Sequence, residues 1–560
     1  MSKTGVVVLC ALCALATAVV SAQQPPPDRT ATGTARVRGR VINGATGAAL
    51  RGADVSLSGD VFRQAQADDD GRFEVTDLPA GRYTIRATKA GYATAGSTLI
   101  TVDPGRAFTL ADGQTLARDV TLFSGGVISG RISDEFGDPV TGLEVRVERY
   151  TWGPAGRQLS TASTGGVFIP SGVRTNDLGE FRVFGLAPGD YVISTRSQQF
   201  GAPLTRGSAG ARDRSEGYPP TFYPGVTRPA EAQGVRVRAG QETGASFSLS
   251  GGRMLRVSGR AMNSRGQPAT GLNVYLAIQT SNSSGQLDGG PIGPDGSFSI
   301  GNVAAGDYVL RVRQAGLTGP GTEVASMPIT VSTEDLSGLQ IVTRPGTNIA
   351  GRVEWDGTAP RPTNPVRINT RSAIPSNGPI SGESTITYVD QQSGTVREDD
   401  TFELGGIVGT VLFSSGPAQP WTLKSVSLSG KDITDVGVEA ASLGGDSRVV
   451  IVLSDRATTI SGTARGNGGQ PVTDYAVVVL PQQPVDGQAA TRYTRFLRPD
   501  EAGAFTLRGL PIGDYVAAAA PALEAGSEWD PAMQKRVRAL GHRFSLADAQ
   551  TLTLTLDVLR

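Results

Sequence analysis

Residues 176–195 read "NDLGEFRVFGLAPGDYVIST", and this stretch decides the fold because a similar one occurs five times in the chain. Counting from Phe181, apolar residues recur two, five, ten and twelve positions later. This alternation predicts two half-buried strands. We expect the Pro-Gly turn to join them as a strand, a tight connection and a returning strand, with Gly189 in a backbone conformation that a Cβ would disfavour.

The five copies preserve the apolar positions and vary the polar ones. The copies are Phe73/Val75/Leu78/Tyr83/Ile85, Phe181/Val183/Leu186/Tyr191/Ile193, Phe298/Ile300/Val303/Tyr308/Leu310, Phe402/Leu404/Ile407/Val411/Phe413 and Phe505/Leu507/Leu510/Tyr515/Ala517. The fourth copy has lost one residue in the turn. Asp190 precedes the Tyr in the second copy, but Arg82 and Thr410 stand at this position elsewhere. Since Arg cannot replace a carboxylate ligand or base, we expect Asp190 to face solvent.

Three further elements repeat in every copy, with nearly the same spacing. A Gly opens a short strand-like run in every copy, at Gly39, Gly130, Gly259, Gly351 and Gly462. An alternating strand follows, with the inward pairs Val55/Leu57, Val145/Val147, Val274/Leu276, Val366/Ile368 and Val477/Val479. Each copy ends in another alternating strand, such as "TLTLTLDVL" near the C-terminus. About seven strands in each repeat are typical of a β-sandwich.

We therefore predict an all-β fold, a tandem array of about five Ig-like or transthyretin-like β-sandwich domains. The predicted segments are a signal peptide (1–22), a Pro-rich spacer (23–35), and units 1 to 5 at 36–125, 126–252, 253–345, 346–456 and 457–560. Unit 2 carries inserted loops, unit 4 is divergent and unit 5 contains a short helix. Because the junctions between units are short, we expect a semi-rigid rod.

These repeats resemble the carboxypeptidase regulatory-like domain, and they are also similar to the carbohydrate-binding-like and Cna-B-like sandwich families. "GRISDEFGDPVTGLEVRVE" followed by "NDLGEFRVFGLAPGDYVIST" carries the resemblance best. The likeness is strong in units 1, 2, 3 and 5 and moderate in unit 4. It implies a transthyretin-like sandwich. It implies no activity, because in that family the module accompanies a catalytic domain and does no chemistry itself.

Composition restricts the function classes. Lys+Arg 52 against Asp+Glu 52 gives a formal net charge of zero, which disfavours nucleic-acid binding. Lys3, an apolar run and "VSA" ending at Ala22 predict a secretory signal, or alternatively a retained anchor. Both cysteines, Cys10 and Cys13, lie in this segment. We expect an exported protein, located in the periplasm, on the outer surface or secreted, with no membrane span after signal removal.

The sequence offers no catalytic, cofactor or metal site. The chain has one histidine, His542, so neither a zinc peptidase site nor a Ser-His-Asp arrangement can be built. "ADDDGRF" contains Asp68, Asp69 and Asp70, which favour a turn over a calcium loop because its counterparts keep the turn residues and not the number of carboxylates. We expect no cofactor and no enzymatic activity.

Three segments interrupt the repeats and are candidates for recognition. In unit 2, Tyr218, Phe222 and Tyr223 lie among prolines and could stack on sugar rings or pack on the sandwich. Residues 151–172, which include Trp152, are predicted to form a loop. In unit 5, residues 526–546 predict a helix capped by Asp530, whose Met533, Val537 and Leu540 would seal the sandwich end. Trp529 would anchor it.

Two function hypotheses follow. The first is a non-catalytic spacer, adhesion or assembly module at the bacterial cell envelope, with a protein or polysaccharide partner. The alternative is a carbohydrate-binding protein that uses the loop aromatics Tyr218, Phe222 and Tyr223.

Overall fold

A computed structural model describes most of the chain. The described residues are 32–559 except 60, 95–106, 155, 162, 165–166, 169–172, 197, 200–215, 229–230, 279–285, 315–322, 373–391, 417–419, 444–447, 486, 522 and 525. The predicted signal peptide lies outside them. Among the described residues, no helix combines the length and apolar character that a membrane crossing requires.

Units 1 and 2 consist of strands. Unit 1 has β1 (Ala35–Asn43), β2 (Asp54–Ser58), β3 (Phe62–Gln66), β4 (Arg72–Leu78), β5 (Gly81–Thr88), β6 (Tyr92–Thr94), β7 (Phe108–Leu110), β8 (Thr115–Ala117) and β9 (Val120–Ser124). Unit 2 has β10 (Gly126–Ser133), β11 (Glu144–Gly153), β12 (Gly156–Thr161), β13 (Ser163–Thr164), β14 (Val167–Phe168), β15 (Val173–Arg174), β16 (Glu180–Leu186), β17 (Gly189–Thr195), β18 (Gln198–Gln199), β19 (Glu216–Tyr218), β20 (Val235–Val237), β21 (Glu242–Gly244), β22 (Phe247–Ser248) and β23 (Gly252–Arg253).

Units 3 and 4 continue the same pattern. Unit 3 has β24 (Leu255–Met262), β25 (Asn273–Ile278), β26 (Gln286–Pro291), β27 (Ser297–Val303), β28 (Gly306–Arg313), β29 (Glu323–Val331), β30 (Leu336–Val342) and β31 (Arg344–Pro345). Unit 4 has β32 (Thr347–Asp356), β33 (Arg367–Ser372), β34 (Ser393–Thr395), β35 (Thr401–Ile407), β36 (Thr410–Ser415), β37 (Thr422–Leu428), β38 (Lys431–Asp432), β39 (Val438–Glu439), a 3-10 helix (Ala440–Leu443) and β40 (Arg448–Ser454).

Unit 5 adds helical segments to the strands. It has β41 (Thr459–Arg465), β42 (Pro471–Val472), β43 (Ala476–Pro481), β44 (Arg495–Leu497), β45 (Ala504–Arg508), β46 (Gly513–Ala520), β47 (His542–Leu546) and β48 (Thr551–Asp557). Its helices are three 3-10 turns (Asn467–Gly469, Gly487–Arg492 and Ser527–Trp529) and α1 (Pro531–Leu540).

Every unit contains the same two-sheet arrangement. In one sheet, the opening strand (β1, β10, β24, β32 or β41) pairs antiparallel with the strand that carries the repeated Phe and parallel with the strand that closes the unit. In the other sheet, the alternating strand pairs with the strand that carries the repeated Tyr, or Val411 in unit 4. An apolar core lies between the two sheets of each unit. The all-β sandwich fold is confirmed, and the division into five domains stays a prediction.

The opening Gly is required by close packing. A Cβ built on Gly39, Gly130, Gly259, Gly351 or Gly462 would lie no more than 2.7 Å from a carbonyl oxygen of the neighbouring chain segment. Heavy atoms cannot approach this closely without a shift of the backbone. The Gly that marks each repeat in the sequence therefore lets the opening strand and the closing segment lie side by side.

The expectation that the returning strand pairs with the strand before it, as in a hairpin, is wrong, because the two strands of residues 176–195 belong to different sheets. β16 pairs with β10 in the first sheet, whereas β17 pairs with β11 in the second. The corresponding strands separate in the same way in the other four units. Both strands point their apolar residues at one core, and they do so from facing sheets. The Pro-Gly turn therefore carries the chain across the sandwich.

A left-handed residue lies four positions after the repeated Phe in all five units. These residues are Asp77, Gly185, Asn302, Gly406 and Gly509, with φ between 58° and 76°. Asp, Asn and Gly are the residues that tolerate this conformation. The turn Gly predicted to need such an angle has a positive φ in three units, at Gly189, Gly409 and Gly513. Left-handed backbone therefore occurs in the Phe strand of all five units and in the turn of three.

The expected extended rod is contradicted by contacts between distant units. Arg149 of unit 2 forms an ion pair with Glu524 of unit 5 at 3.2 Å. Arg118, at the end of unit 1, forms another with Glu501 of unit 5. Unit 5 thus folds back onto the N-terminal units.

Candidate functional site

The repeated Tyr fixes the crossing between the two sheets. The hydroxyl of Tyr191 donates a hydrogen bond to the carbonyl oxygen of Ala187, four residues earlier, at 2.7 Å. Tyr83, Tyr308 and Tyr515 make the same bond to Pro79, Ala304 and Pro511, at 2.8 to 2.9 Å. Burial raises the pKa of Tyr191 and of Tyr308 to about 12. The hydroxyl is therefore a structural donor in four of the five units.

The repeated Asp or Asn before the Phe strand serves the turn itself. The Oδ1 atom of Asp68 accepts hydrogen bonds from the backbone N–H groups of Asp70 and Arg72, at 2.9 and 2.7 Å. Asn176 accepts from Leu178 and Glu180 in the same way, at 3.0 and 2.7 Å. This geometry is the Asx turn that the residue types favour. Within the described ranges, no group of three or more His, Cys, Asp or Glu is placed to hold a metal ion.

The Asp that precedes the Tyr lies at the surface. Asp190, Asp307 and Asp514 are exposed. Asp307 accepts a hydrogen bond from Thr330 at 2.7 Å, and Asp514 accepts one from Ser545 at 2.6 Å. In these two units the carboxylate ties the crossing to the neighbouring strand. His542 is also exposed, at the start of β47.

The three candidate aromatics of unit 2 have different environments. Tyr218 belongs to the core and is 7% exposed. Tyr223 is half-buried, packs against the same core and meets Phe247 edge-on with ring centroids 6.0 Å apart. Phe222 is half-buried and bridges Ser194 of β17 and Val226 through its backbone. The structure brings the three side chains to one region, and Tyr218 has no free face on which a sugar ring could stack.

The insertion in unit 5 covers the outer face of a sheet. α1 begins at Pro531, and Asp530 caps it by accepting a hydrogen bond from the N–H of Ala532 at 2.9 Å, as predicted. Val537 is buried, and Met533 packs beside it against Val478 and Leu480, which point away from the main core. The predicted seal at the sandwich end is therefore wrong.

The amino-acid sequence also predicted that Leu540 is buried with Met533 and Val537. At the C-terminal end of α1, however, Leu540 is 65% exposed. Trp529 closes a 3-10 turn and is half-buried, which agrees with an anchoring role.

The loop predicted around Trp152 is a strand pair over its first part, because Trp152 lies in β11 opposite Arg157 of β12. Residues 162, 165–166 and 169–172 of this segment lie outside the described residues.

Arg149 forms a site that the sequence did not predict. Its guanidinium lies over the ring of Tyr191, 5.4 Å from the centroid, and donates to a carboxylate oxygen of Glu524. The Ser527–Trp529 turn lies against β11 next to this pair. A Cβ on Gly526 would lie 3.0 Å from the carbonyl oxygen of Trp152, and its φ of 97° also favours Gly.

Comparing the residue at the Arg149 position across the five sequence repeats marks Arg149 as unusual. Glu148 lies opposite Val192, and continuing this register by one residue places Arg149 opposite the repeated Tyr191. In unit 4 the equivalent position lies opposite Val411. The equivalent residues are Gly59, Ile278, Ser372 and Pro481. Only unit 2 has a charge there. A charged residue at a position that is otherwise uncharged marks a surface particular to one unit.

One carboxyl group in this part of the molecule is buried, and a second is half-buried. Glu148 of β11 is 3% exposed and accepts a hydrogen bond from Ser194 at 3.0 Å. Burial raises the pKa of its carboxyl, and the neighbouring Arg146 opposes this shift. Burial also raises the pKa of Glu528, which accepts a hydrogen bond from the N–H of Gly526 at 2.7 Å.

Comparison with known proteins finds a family match for the first unit. Residues 36–122 match the carboxypeptidase regulatory-like domain family. This match confirms the resemblance for unit 1, and units 2 to 5 share its strand pairing. No curated protein matches the chain in sequence.

Solved structures with some likeness include three bacterial proteins. A streptococcal ancillary pilin is 12% identical, with a TM-score of 0.19, over 55% of this chain and 98% of the pilin. The minor pilin GBS52 of Streptococcus agalactiae is 14% identical, with a TM-score of 0.21, over 39% and 96%. The TIE protein of Bacillus anthracis is 10% identical, with a TM-score of 0.15, over 86% and 72%. At these values the fold assignment rests on the sheets and cores of this chain.

Proposed function

We propose that this chain is an exported, non-catalytic array of β-sandwich domains that acts as a spacer, adhesion or assembly module at the bacterial cell envelope. The Tyr hydroxyls that repeat in four units carry this proposal, since each donates to a backbone carbonyl of its own turn. The recurring polar groups maintain the fold. Partner binding is therefore expected at the surfaces that differ between units.

The distribution of variable surfaces supports a binding role. Arg149, the unit 5 insertion and the aromatics of unit 2 all depart from the repeat pattern, and two of the three meet at one contact between units. Surfaces of this kind recognise protein or polysaccharide.

Cell fractionation followed by photo-crosslinking in the intact envelope tests this function. We expect the full-length chain in the exported fraction, with crosslinked partners from residues on units 2 and 5. A variant without residues 1–22 serves as the control and should remain in the cytoplasm. Retention of the full-length chain in the cytoplasm would contradict the proposal, as would hydrolase activity of the purified chain that persists in chelator.

Carbohydrate binding is the alternative, and side-chain burial limits which of the three aromatic residues could contact a sugar. Phe222 and Tyr223 are half-buried, whereas the ring of Tyr218 lies in the core. A sugar would therefore stack on Phe222 or on the exposed part of Tyr223, because stacking requires a free ring face. Pull-down on insoluble polysaccharides separates this alternative from a protein partner.

A further inference from the structure

Unit 5 contacts its neighbours in the fold through two kinds of interface. Towards units 1 and 2, it is connected by the ion pairs Arg118–Glu501 and Arg149–Glu524 and by the Ser527–Trp529 turn, which lies against β11. In both pairs the N-terminal unit supplies Arg and unit 5 supplies Glu. The side chain of Glu524 is 45% exposed, so water and salt reach this pair.

The interface between units 4 and 5 contains more polar contacts. Asp435 of unit 4 accepts two hydrogen bonds from Arg492, both at 2.8 Å, and a third from Tyr493 at 2.6 Å. The same guanidinium donates to two backbone carbonyl oxygens of unit 4, those of Leu423 and Lys424, at 3.3 Å. One Arg of unit 5 thus makes contacts to a side chain and to the backbone of unit 4.

A second cluster strengthens the junction of units 4 and 5. The ammonium of Lys424 lies between Asp356 and Asp548, at 2.8 and 3.1 Å. Arg456 forms an ion pair with the other oxygen of Asp356. Charge networks hold their geometry better than single pairs do. Units 4 and 5 therefore form one body that is more firmly joined than unit 5 is to units 1 and 2.

We propose that Arg149–Glu524 and Arg118–Glu501 form a clasp that opens and closes the array. When the clasp is closed, unit 5 rests on units 1 and 2. When it opens, units 4 and 5 swing away together, and the array extends. The movement occurs at the junctions on either side of unit 3. This inference rests on the proposed function as a spacer, because the clasp sets the reach of the array.

Arg149 is pre-positioned for this role. Its side chain is 13% exposed, lies over Tyr191 and keeps its guanidinium at the surface that faces unit 5. Stacking on an aromatic ring restricts the rotamers of an Arg, so less entropy is lost when it pairs. The clasp contains two single ion pairs and one short turn against β11, and dissolved salt screens the ion pairs. High ionic strength therefore favours the open form.

Small-angle X-ray scattering on the full chain tests the clasp. At low salt we expect a closed molecule whose maximum dimension increases when NaCl is raised to about 1 M, where the screening length is about 3 Å. The double variant R118E/R149E should be extended already at low salt. Opening should add roughly the width of one unit, about 30 Å, which corresponds to a domain of about 100 residues.

Charge exchange distinguishes the clasp from simple loss of fold. The quadruple variant R118E/R149E/E501R/E524R restores both pairs and should close again at low salt. R182E serves as the matched control, because Arg182 pairs with Glu242 inside unit 2. It should remain closed. Circular dichroism verifies that every variant is folded.

Two results would overturn the clasp. One is a wild-type chain that is already extended at low salt, and the other is a folded R118E/R149E variant with wild-type dimensions. Scattering requires no partner, so either result would leave the envelope function untouched. Conversely, failure to find an envelope partner would leave the clasp standing.

Discussion

Tyr191 and Arg149 share one ring surface but serve different purposes. The hydroxyl of Tyr191 donates to the carbonyl oxygen of Ala187 and fixes the crossing between sheets, as in three other units. Arg149 covers the ring and pairs with Glu524 of a distant unit, and its equivalents in the other units carry no charge. The repeated residue builds the domain, and the unrepeated one connects domains.

Removing the Tyr191 hydroxyl should weaken unit 2. Tyr191→Phe keeps the ring and leaves the carbonyl of Ala187 without its donor, which costs about 0.5–1.5 kcal/mol. Hydrogen exchange followed on peptides of unit 2 should show faster exchange in the 183–193 region. Peptides of unit 3 provide the internal control. Unchanged protection in unit 2 would contradict a structural role for the hydroxyl.

Phe181 and Asp190 should differ strongly in their effect on stability. Phe181 is 4% exposed in the core, and Phe181→Ala should destabilise unit 2 by about 3–5 kcal/mol. Asp190 is exposed, and Asp190→Ala should change stability by no more than about 0.5 kcal/mol. Denaturant unfolding monitored within unit 2 measures both. An Asp190→Ala variant that fails to fold would show that the exposed position has been misjudged.

The left-handed residue in the Phe strand can be tested at Asp77, where the side chain is exposed and packing contributes little. Asp77→Gly removes the steric cost and should leave unit 1 as stable as before or slightly more stable. Asp77→Val places a β-branched residue at a φ of 58°, which costs about 1–2 kcal/mol. Thermal unfolding of the two variants should differ in that order. Equal stability would argue against left-handed backbone here.

Glu148 should make the stability of unit 2 depend on pH. Because burial raises its folded-state pKa above the ordinary value of 4.5, the neutral carboxyl stabilises the fold below that value. This contribution is lost as pH rises through the folded-state pKa. Glu148→Gln keeps a neutral side chain, so it should be more stable than wild type at neutral pH and should lack this loss.

Melting curves of unit 2 recorded from pH 4 to pH 7 measure the effect of Glu148. Glu180→Gln, at an exposed position, is the control and should retain the wild-type pH dependence. A Glu148→Gln variant with that same dependence would show that another group is responsible.

The aromatics of unit 2 separate the two function hypotheses. If polysaccharide is the ligand, Phe222→Ala and Tyr223→Ala should reduce retention on the insoluble polymer while unit 2 stays folded. Tyr218→Ala should instead unfold unit 2, because this ring is in the core. We expect no retention of the wild-type chain if the partner of the envelope module is a protein. Retention that depends on Phe222 would favour the carbohydrate alternative.

The sequence predicted the sandwich well because its evidence repeats. Phe181 and Tyr191 each have counterparts, and period-2 apolar spacing reports directly which side of a strand is buried. Periodicity cannot tell whether two consecutive strands lie in one sheet or in facing sheets, since both place apolar residues at one core. The hairpin between β16 and β17 was wrong for this reason. The left-handed conformation of Asp77 and its equivalents could be recognised only once the strand register of the five units was known.

The contact between units could not be predicted from the same signals. Arg149 and Glu524 are 375 residues apart, and a single ion pair leaves no period in the sequence. The short junctions suggested a rod because junction length limits local freedom and says nothing about distant contacts. Comparison of the position opposite each repeated Tyr would have singled out Arg149, but not its partner.

Photo-crosslinking in the intact envelope with the variant D190A/D307A/D514A tests the central claim most directly. The claim is that the repeated motif builds the fold and that binding belongs to the unrepeated surfaces of units 2 and 5. We expect the triple variant to fold and to give the same crosslinked partners as wild type. A folded triple variant that loses every partner would contradict the claim and would return function to the repeated turn.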